Sequence, residues 1–351
     1  MKKKGIIIVI ICLVIIALTV GTYFMFKNGK IDETVNQSNI EEEITIKKPK
    51  IETFSGNDRP IAVMIDNNKN AWPQASVNEA YIVYEIIVEG GETRLMALFK
   101  GSDADSIGPI RSSRHYFLDY ALENDAIYAH LGWSPQAESD IKSLRVNNIN
   151  GQAYDTGKAR TSSSLYWRTK KPKPHNAYTN IDSLLQISKK LGYRTTSDKE
   201  SVLNYSATPI EFDEQTDNVI IANSVTIPYR GANKIKYVYN EQTGKYEKYS
   251  KGIKQSDEVT GEAFAAKNII ITFAENYTLQ DTENKGRQGI NNIGTLNGYY
   301  LTNGKAIKIK CKKTSRTAQT EYLDENGNEI QVNDGNTFIN ICPTNSNVTF
   351  E

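Results

Sequence analysis

From Gly5 to Phe26 the chain runs 22 residues without a charged side chain, dominated by Ile, Val and Leu and preceded by Lys2-Lys3-Lys4. No water-facing element can be built from such a run, so it constrains the chain before any other feature is read. As a helix it spans roughly 33 Å, enough to cross a bilayer. The lysine cluster lies ahead of it and only Lys27 and Lys30 follow closely. The positive-inside rule therefore predicts a cytoplasmic tail over 1–4, a transmembrane anchor over 5–26, and the bulk of the chain outside the cytoplasm. A cleaved signal peptide would have a shorter apolar core and a small-residue cleavage site. A lipoprotein signal needs small residues before its cysteine, whereas Cys12 follows Val9-Ile10-Ile11. The expected placement is single-pass in a bacterial cytoplasmic membrane, and a composition rich in Lys, Asn, Ile and Tyr fits an AT-rich bacterial genome.

Charge and cysteine content narrow the function classes. The net charge is +1 over 351 residues, but residues 1–30 hold five lysines and no acid. The remainder carries 37 basic and 41 acidic residues, a net −4. That balance gives no reason to expect a nucleic-acid partner. Cys311 and Cys342 are the cysteines beyond the apolar run, and an extracytoplasmic location permits a disulfide between them as readily as two buried thiols. His115, His130 and His175 are far apart, with no CxxC, so neither a metal site nor a cofactor is expected.

The expected fold class is α+β: the N-terminal transmembrane helix, a mixed α/β first domain and a β-rich second domain. Residues 27–58 are polar, with Glu41-Glu42-Glu43 at their centre, and read as an extracytoplasmic spacer. The first domain covers 59–194. Its apolar run Arg59–Asn67 predicts a buried strand ending in Asp-Asn. Tyr81–Glu89 and Thr93–Lys100 flank Gly90-Gly91, the signature of a two-residue hairpin. That register pairs Ile87 with Arg94 and sets Arg94 on one face with Glu85 and Glu89. Ile127–His130 reads as a strand. Ser134-Pro135 opens a helix to Leu144, and Asn180–Leu191 reads as the domain's closing helix. Residues 195–222 form the linker, and 223–351 alternate as short strands.

The candidate site starts at Ile107–Asp125, IGPIRSSRHYFLDYALEND. Gly108-Pro109 predicts a turn, Ser112 and Ser113 offer cap hydroxyls, and a helix is expected to carry Arg111 and Arg114 in its first turn. A helix start favours anions through its free N–H groups and its dipole, and two guanidinium forks suit carboxylate or phosphate. Downstream, Thr156–Ile181 has no acid but holds Lys158, Arg160, Arg168, Lys170, Lys171 and Lys173, and it includes Pro172-Lys173-Pro174-His175. It predicts a basic loop, either simply exposed or closing over an anion. The ligand-binding candidates are Arg94, Arg111, Ser112, Arg114, His130, Arg160, Arg168 and His175. The carboxylates for acid–base work are Asp66, Glu85 and Glu89.

Several segments resemble a known family in order along the chain: RPIAVMIDN at Arg59–Asn67, VEGGETR at Val88–Arg94, IGPIRSSR at Ile107–Arg114, KPKPHNAYTN at Lys171–Asn180, GRQGI at Gly286–Ile290 and KKTSRTAQTEYLDENGNEI at Lys312–Ile330. These are similar to the YerB-like lipoprotein family, whose members carry two adjacent domains of unknown function, and the match spans about Arg59–Val348. The resemblance implies location and architecture and brings no settled chemistry. Two departures stand out: this chain lacks a convincing lipobox, and the position of Cys311 resembles one where relatives carry tryptophan.

These readings predict a cell-envelope protein that binds an anionic ligand, such as a wall polymer or a lipid-linked precursor. The alternatives are an enzyme acting on that ligand, a phosphotransferase or glycan-processing protein, and a scaffold for an envelope protein partner. No nucleophile elbow is present: Gly132-Trp133-Ser134-Pro135-Gln136 does not match one.

Overall fold

Three short helices and many strands emerge from residues 50–212, 216, 218–280 and 283–351, which the computed structural model describes. In the first half, β1 is Ile61–Asp66, β2 Ile82–Ile87, β3 Thr93–Phe99, β4 Ile127–His130 and β5 Asn148–Asn150. Helix α1 is His115–Glu123, α2 Pro135–Ser143 and α3 Ile181–Lys190. The second half supplies β6 Ser224–Arg230, β7 Asn233–Asn240, β8 Lys245–Ser250, β9 Asn268–Thr278, β10 Gly294–Thr302, β11 Lys305–Lys313, β12 Glu321–Leu323 and β13 Thr337–Pro343. The helix starts follow their chemistry: Ser134 Oγ accepts from Ala137 N ahead of Pro135, and Asn180 Oδ1 accepts from Ser183 N.

A twelve-stranded sheet runs β12-β11-β10-β9-β13-β2-β3-β1-β4-β5, with Gln288–Asn291 paired to β9 and Ile220–Ile221 to β11. Its centre is β13, from near the C-terminus, which lies parallel to both β9 and β2. Every residue of β13 is buried. A second sheet built on β6, β7 and β8 covers one face of the large sheet, where Tyr229 and Tyr237 hydroxyls donate to Asn340 Oδ1 of β13. Helix α1 covers the opposite face: Glu123 accepts from Tyr84 of β2 and pairs with Lys313 of β11 at 2.7 Å. Arg316, beyond β11, extends the same contact by pairing with Asp119 of α1 and Asp140 of α2, both at 2.7 Å.

The fold therefore corrects the α+β expectation. The described residues are mainly β, and the mixed α/β first domain with its β-rich companion gives way to one continuous sheet. Local periodicity identified the strands but not their partners, and the open edge of β2 is completed by a strand some 250 residues later. The expected transmembrane helix over 5–26 lies outside the described residues. Among the described residues no helix is long and apolar enough to cross a membrane.

The hairpin register also differs. Gly90 and Gly91 do take positive φ, at 69° and 76°, but Val88 N donates to Glu92 O and Glu89 joins the turn. Arg94 consequently faces Ile86, and Glu85 faces Leu95. A one-residue shift exchanges the faces of a strand, so Arg94 looks toward α1 while Glu85 looks toward the second sheet. Both faces of β2 are buried, which is why alternation carried no register information.

Candidate site at the end of strand β1

Asp66 is the last residue of β1, and Arg94 is its cross-strand partner on β3. The two side chains share a face at neighbouring distance. Beside them an extended segment, Ile110–Ser113, is wedged between the ends of β1 and β4. Arg111 N donates to Met64 O, Leu131 N donates to Arg111 O, and Ser113 N donates to Gly132 O. This segment precedes α1, whose N-cap is Arg114. Arg111 and Arg114 therefore do not lie in a first helical turn; an extended backbone presents Arg111 at the carboxyl ends of the parallel strands β1 and β4.

Four of the sequence candidates converge there. Asp66, 4% exposed, has two side chains at one oxygen: His175 Nδ1 at 2.7 Å and the Arg111 guanidinium, through Nε, at 3.1 Å. Its other oxygen accepts from Asn68 N. A carboxylate only accepts, so Nδ1 of His175 carries the hydrogen and Nε2 bears the lone pair when the ring is neutral. Nε2 has no partner among the described residues, and neither do the terminal amino groups of Arg111, whose side chain is 25% exposed. Arg94, 5% exposed, donates to the carbonyl of Ser112 and forms no ion pair among the described residues. Burial, with Arg114 and Arg111 nearby, pushes its guanidinium down to about 10.

The other candidates have internal partners. Arg114 grips Glu89 with two hydrogen bonds, 2.6 and 2.8 Å, and donates to Ser113 O. Burial pushes the Glu89 carboxyl up, but the hydrogen bond and charge of Arg114, with Arg94 behind it, outweigh that and hold it below its ordinary value. Glu85 is fully buried on the far face, 2.7 Å from Lys248, and also accepts from Asn67 and Thr93. His130 is fully buried between Gly132 O and Asn148, and burial lowers it to about 4. In the basic loop, Arg160 pairs with Asp105 and stacks on Trp167, Arg168 pairs with Asp155, and Lys171 pairs with Glu258. Lys158, Lys170 and Lys173 stay exposed. The loop's contribution to the site is His175. A cleft of about 900 Å³ beside Arg160 and Ser162, and a groove of about 560 Å³ at Phe273 and Tyr299, lie apart from this site.

Cys311 and Cys342 are free and buried. They sit on β11 and β13 with β10 and β9 between them, an expected separation of roughly 14 Å at sheet spacing, beyond disulfide reach. Sequence reading left open whether Asp66 and His175, 109 residues apart, converge, and it missed the partners Lys248 and Arg316. The one available signal was that the strongest motifs, RPIAVMIDN and KPKPHNAYTN, each contain one member of the Asp66–His175 pair.

A mainly β protein in which Asp66, Arg94, Arg111 and His175 gather at a strand terminus is the class these features define. The chain belongs to the family described as "Protein of unknown function (DUF3048)", matching its N-terminal domain over residues 48–194 and its C-terminal domain over residues 225–339. A relative from Bacillus subtilis (strain 168), named "Putative lipoprotein YerB", is 29% identical over 297 residues, covering 81% of each chain. The crystal structure of YerB protein from Bacillus subtilis is similar with a TM-score of 0.71 and 26% identity, covering 84% of this chain and 94% of that one. A lipid anchor holds a protein at a membrane without a spanning helix. The lipoprotein relative therefore corrects the single-pass transmembrane placement expected from residues 5–26: an apolar run behind lysines is common to signal segments and spanning helices, so polarity alone did not separate them.

Proposed function

We propose that this chain is a cell-envelope protein, as its lipoprotein relative's name suggests for that protein, and that it binds an anionic group between Arg94 and Arg111. The carrying observation is Arg94: a buried guanidinium on a strand that donates to the Ser112 carbonyl and, with the Asp66 and Glu89 charges nearby, forms no ion pair with a carboxylate among the described residues. Buried charges are ordinarily paired, and an Arg fork with spare donors is suited to phosphate or carboxylate oxygens. Arg111 supports the reading because its terminal amino groups have no partner among the described residues. Wall polymers and lipid-linked precursors supply such groups in the envelope. Calorimetric titration of the full chain with inorganic phosphate, then with purified wall polymer, across a salt series tests this. Binding is expected to weaken with salt and to disappear in Arg94→Met and in Arg111→Ala. Binding unchanged in both variants refutes the reading.

A further inference from the structure

Resting on that anion site, we infer that it is also a hydrolytic centre for phosphodiesters, with His175 as the catalytic base and Asp66 as its positioning residue. The geometry carries this in three parts. First, Asp66 is nearly fully buried and accepts from His175 Nδ1 at 2.7 Å. That hydrogen bond fixes the tautomer and leaves Nε2 as the lone-pair nitrogen, without a partner among the described residues.

Second, the imidazole and the Arg111 guanidinium meet at the same Asp66 oxygen, and Arg94 lies directly across the strand pair from Asp66. Base and anion clamp are therefore neighbours, which proton transfer at a bound group requires.

Third, the charges select the substrate. Arg94, Arg111 and Arg114 face Asp66 and Glu89, and Lys171 nearby is paired with Glu258, leaving one net positive charge when His175 is neutral. A phosphodiester, like the H2PO4− form of inorganic phosphate, carries one negative charge and balances it; a phosphomonoester dianion would leave an excess negative charge in a half-buried site.

In the step, Nε2 takes a proton from water as the water oxygen bonds to phosphorus. The bond from phosphorus to the leaving oxygen breaks, its electron pair stays on that oxygen, and the imidazolium returns the proton there. Water and a phosphodiester are consumed, and a phosphomonoester and an alcohol are released. Arg94 and Arg111 stabilise the charge that builds on the non-bridging oxygens.

The test uses the full chain with bis(4-nitrophenyl) phosphate as probe, following 4-nitrophenol release, with inorganic phosphate binding measured in parallel. His175→Gln should lower kcat by about 10²- to 10⁴-fold while its phosphate binding persists, which also shows that it folds. Asp66→Asn should lower kcat too, and the double variant should lose no more than His175→Gln alone, because the two residues act as a unit; a purely structural Asp66 would add its own loss. Phosphate binding without turnover, or turnover equal in wild type and His175→Gln, overturns the hydrolytic inference and leaves the anion site standing. Absence of phosphate binding in the wild type overturns both.

Discussion

Replacing Arg94 with Met examines the anion site through stability. Burial, with Arg114 and Arg111 close by, lowers the Arg94 guanidinium from 12.5 to about 10. A shift of that size corresponds to about 3 kcal/mol of disfavoured charge in the folded state. For a cation whose folded value is depressed, the unfolded chain holds the proton more tightly. The penalty is therefore fully present below about 10 and fades only as pH rises from there toward 12.5. At pH 7.5 all of it applies. Met removes the charge and keeps an unbranched apolar stem, but it strands the Ser112 carbonyl that Arg94 caps, a loss of about 1–2 kcal/mol. The net expectation is a variant about 1–2 kcal/mol more stable than wild type in anion-free buffer, a rise of about 2–4 °C in Tm for a chain of this size. Phosphate at a hundredfold excess over its Kd adds about 3 kcal/mol to wild type and nothing to the variant. The order of the two melting temperatures should thus reverse between anion-free buffer and saturating phosphate. Scanning calorimetry in both buffers reads this directly. If Arg94→Met melts below wild type without anion, the guanidinium is a structural strut and the reasoning fails; an equal phosphate shift in both proteins refutes it as well.

Three further outcomes follow from buried groups. Lys248→Met should destabilise the protein by about 3–5 kcal/mol in urea unfolding, because it strands the fully buried Glu85 carboxylate; adding Glu85→Gln should recover much of that, and a double variant no better than the single contradicts it. His130 is held near 4 by burial against an unfolded value of about 6.5. Its stabilising contribution is complete above 6.5 and is lost as pH falls from there to 4. His130→Gln should therefore lose about 2–3 kcal/mol less than wild type between pH 7 and pH 4.5, and equal losses would count against burial as the cause. Burial pushes both the Cys311 and Cys342 thiols up to about 12; a thiol reagent at pH 8 should label them only after unfolding, with Tm independent of reductant, whereas a reductant-sensitive Tm would reveal a disulfide.

Much of the secondary structure was legible because its signals are local. Ser134-Pro135 and Asn180 start their helices as cap chemistry demands, and Ile127–His130 is a strand with the bounds its composition suggests. The hairpin at Gly90-Gly91 was legible as a turn and misread in register, since both faces of β2 are buried and either alternation satisfied the apolar pattern. Arg111 was legible as a site residue but not as an extended one: its spacing to Phe117 mimics a helical stripe, yet the segment's backbone hydrogen bonds go to β1 and β4.

By itself, the sequence determined which residue types were available and where the chain turns, because propensity, caps and positive-φ glycines act over a few residues. It supplied Asp66, Arg94, Arg111 and His175 as separate candidates. Only the tertiary structure decided that Arg114 is spent on Glu89, that Glu85 faces Lys248 across the sheet, and that His175 returns from a loop 109 residues away to Asp66. It also decided that β13 completes the edge of β2 and fuses two regions into one sheet. The physical reason is common to all of these. Pairing of strands and charges depends on which open edge or unpaired group is nearest in space, and that is set by packing across hundreds of residues rather than by neighbours along the chain.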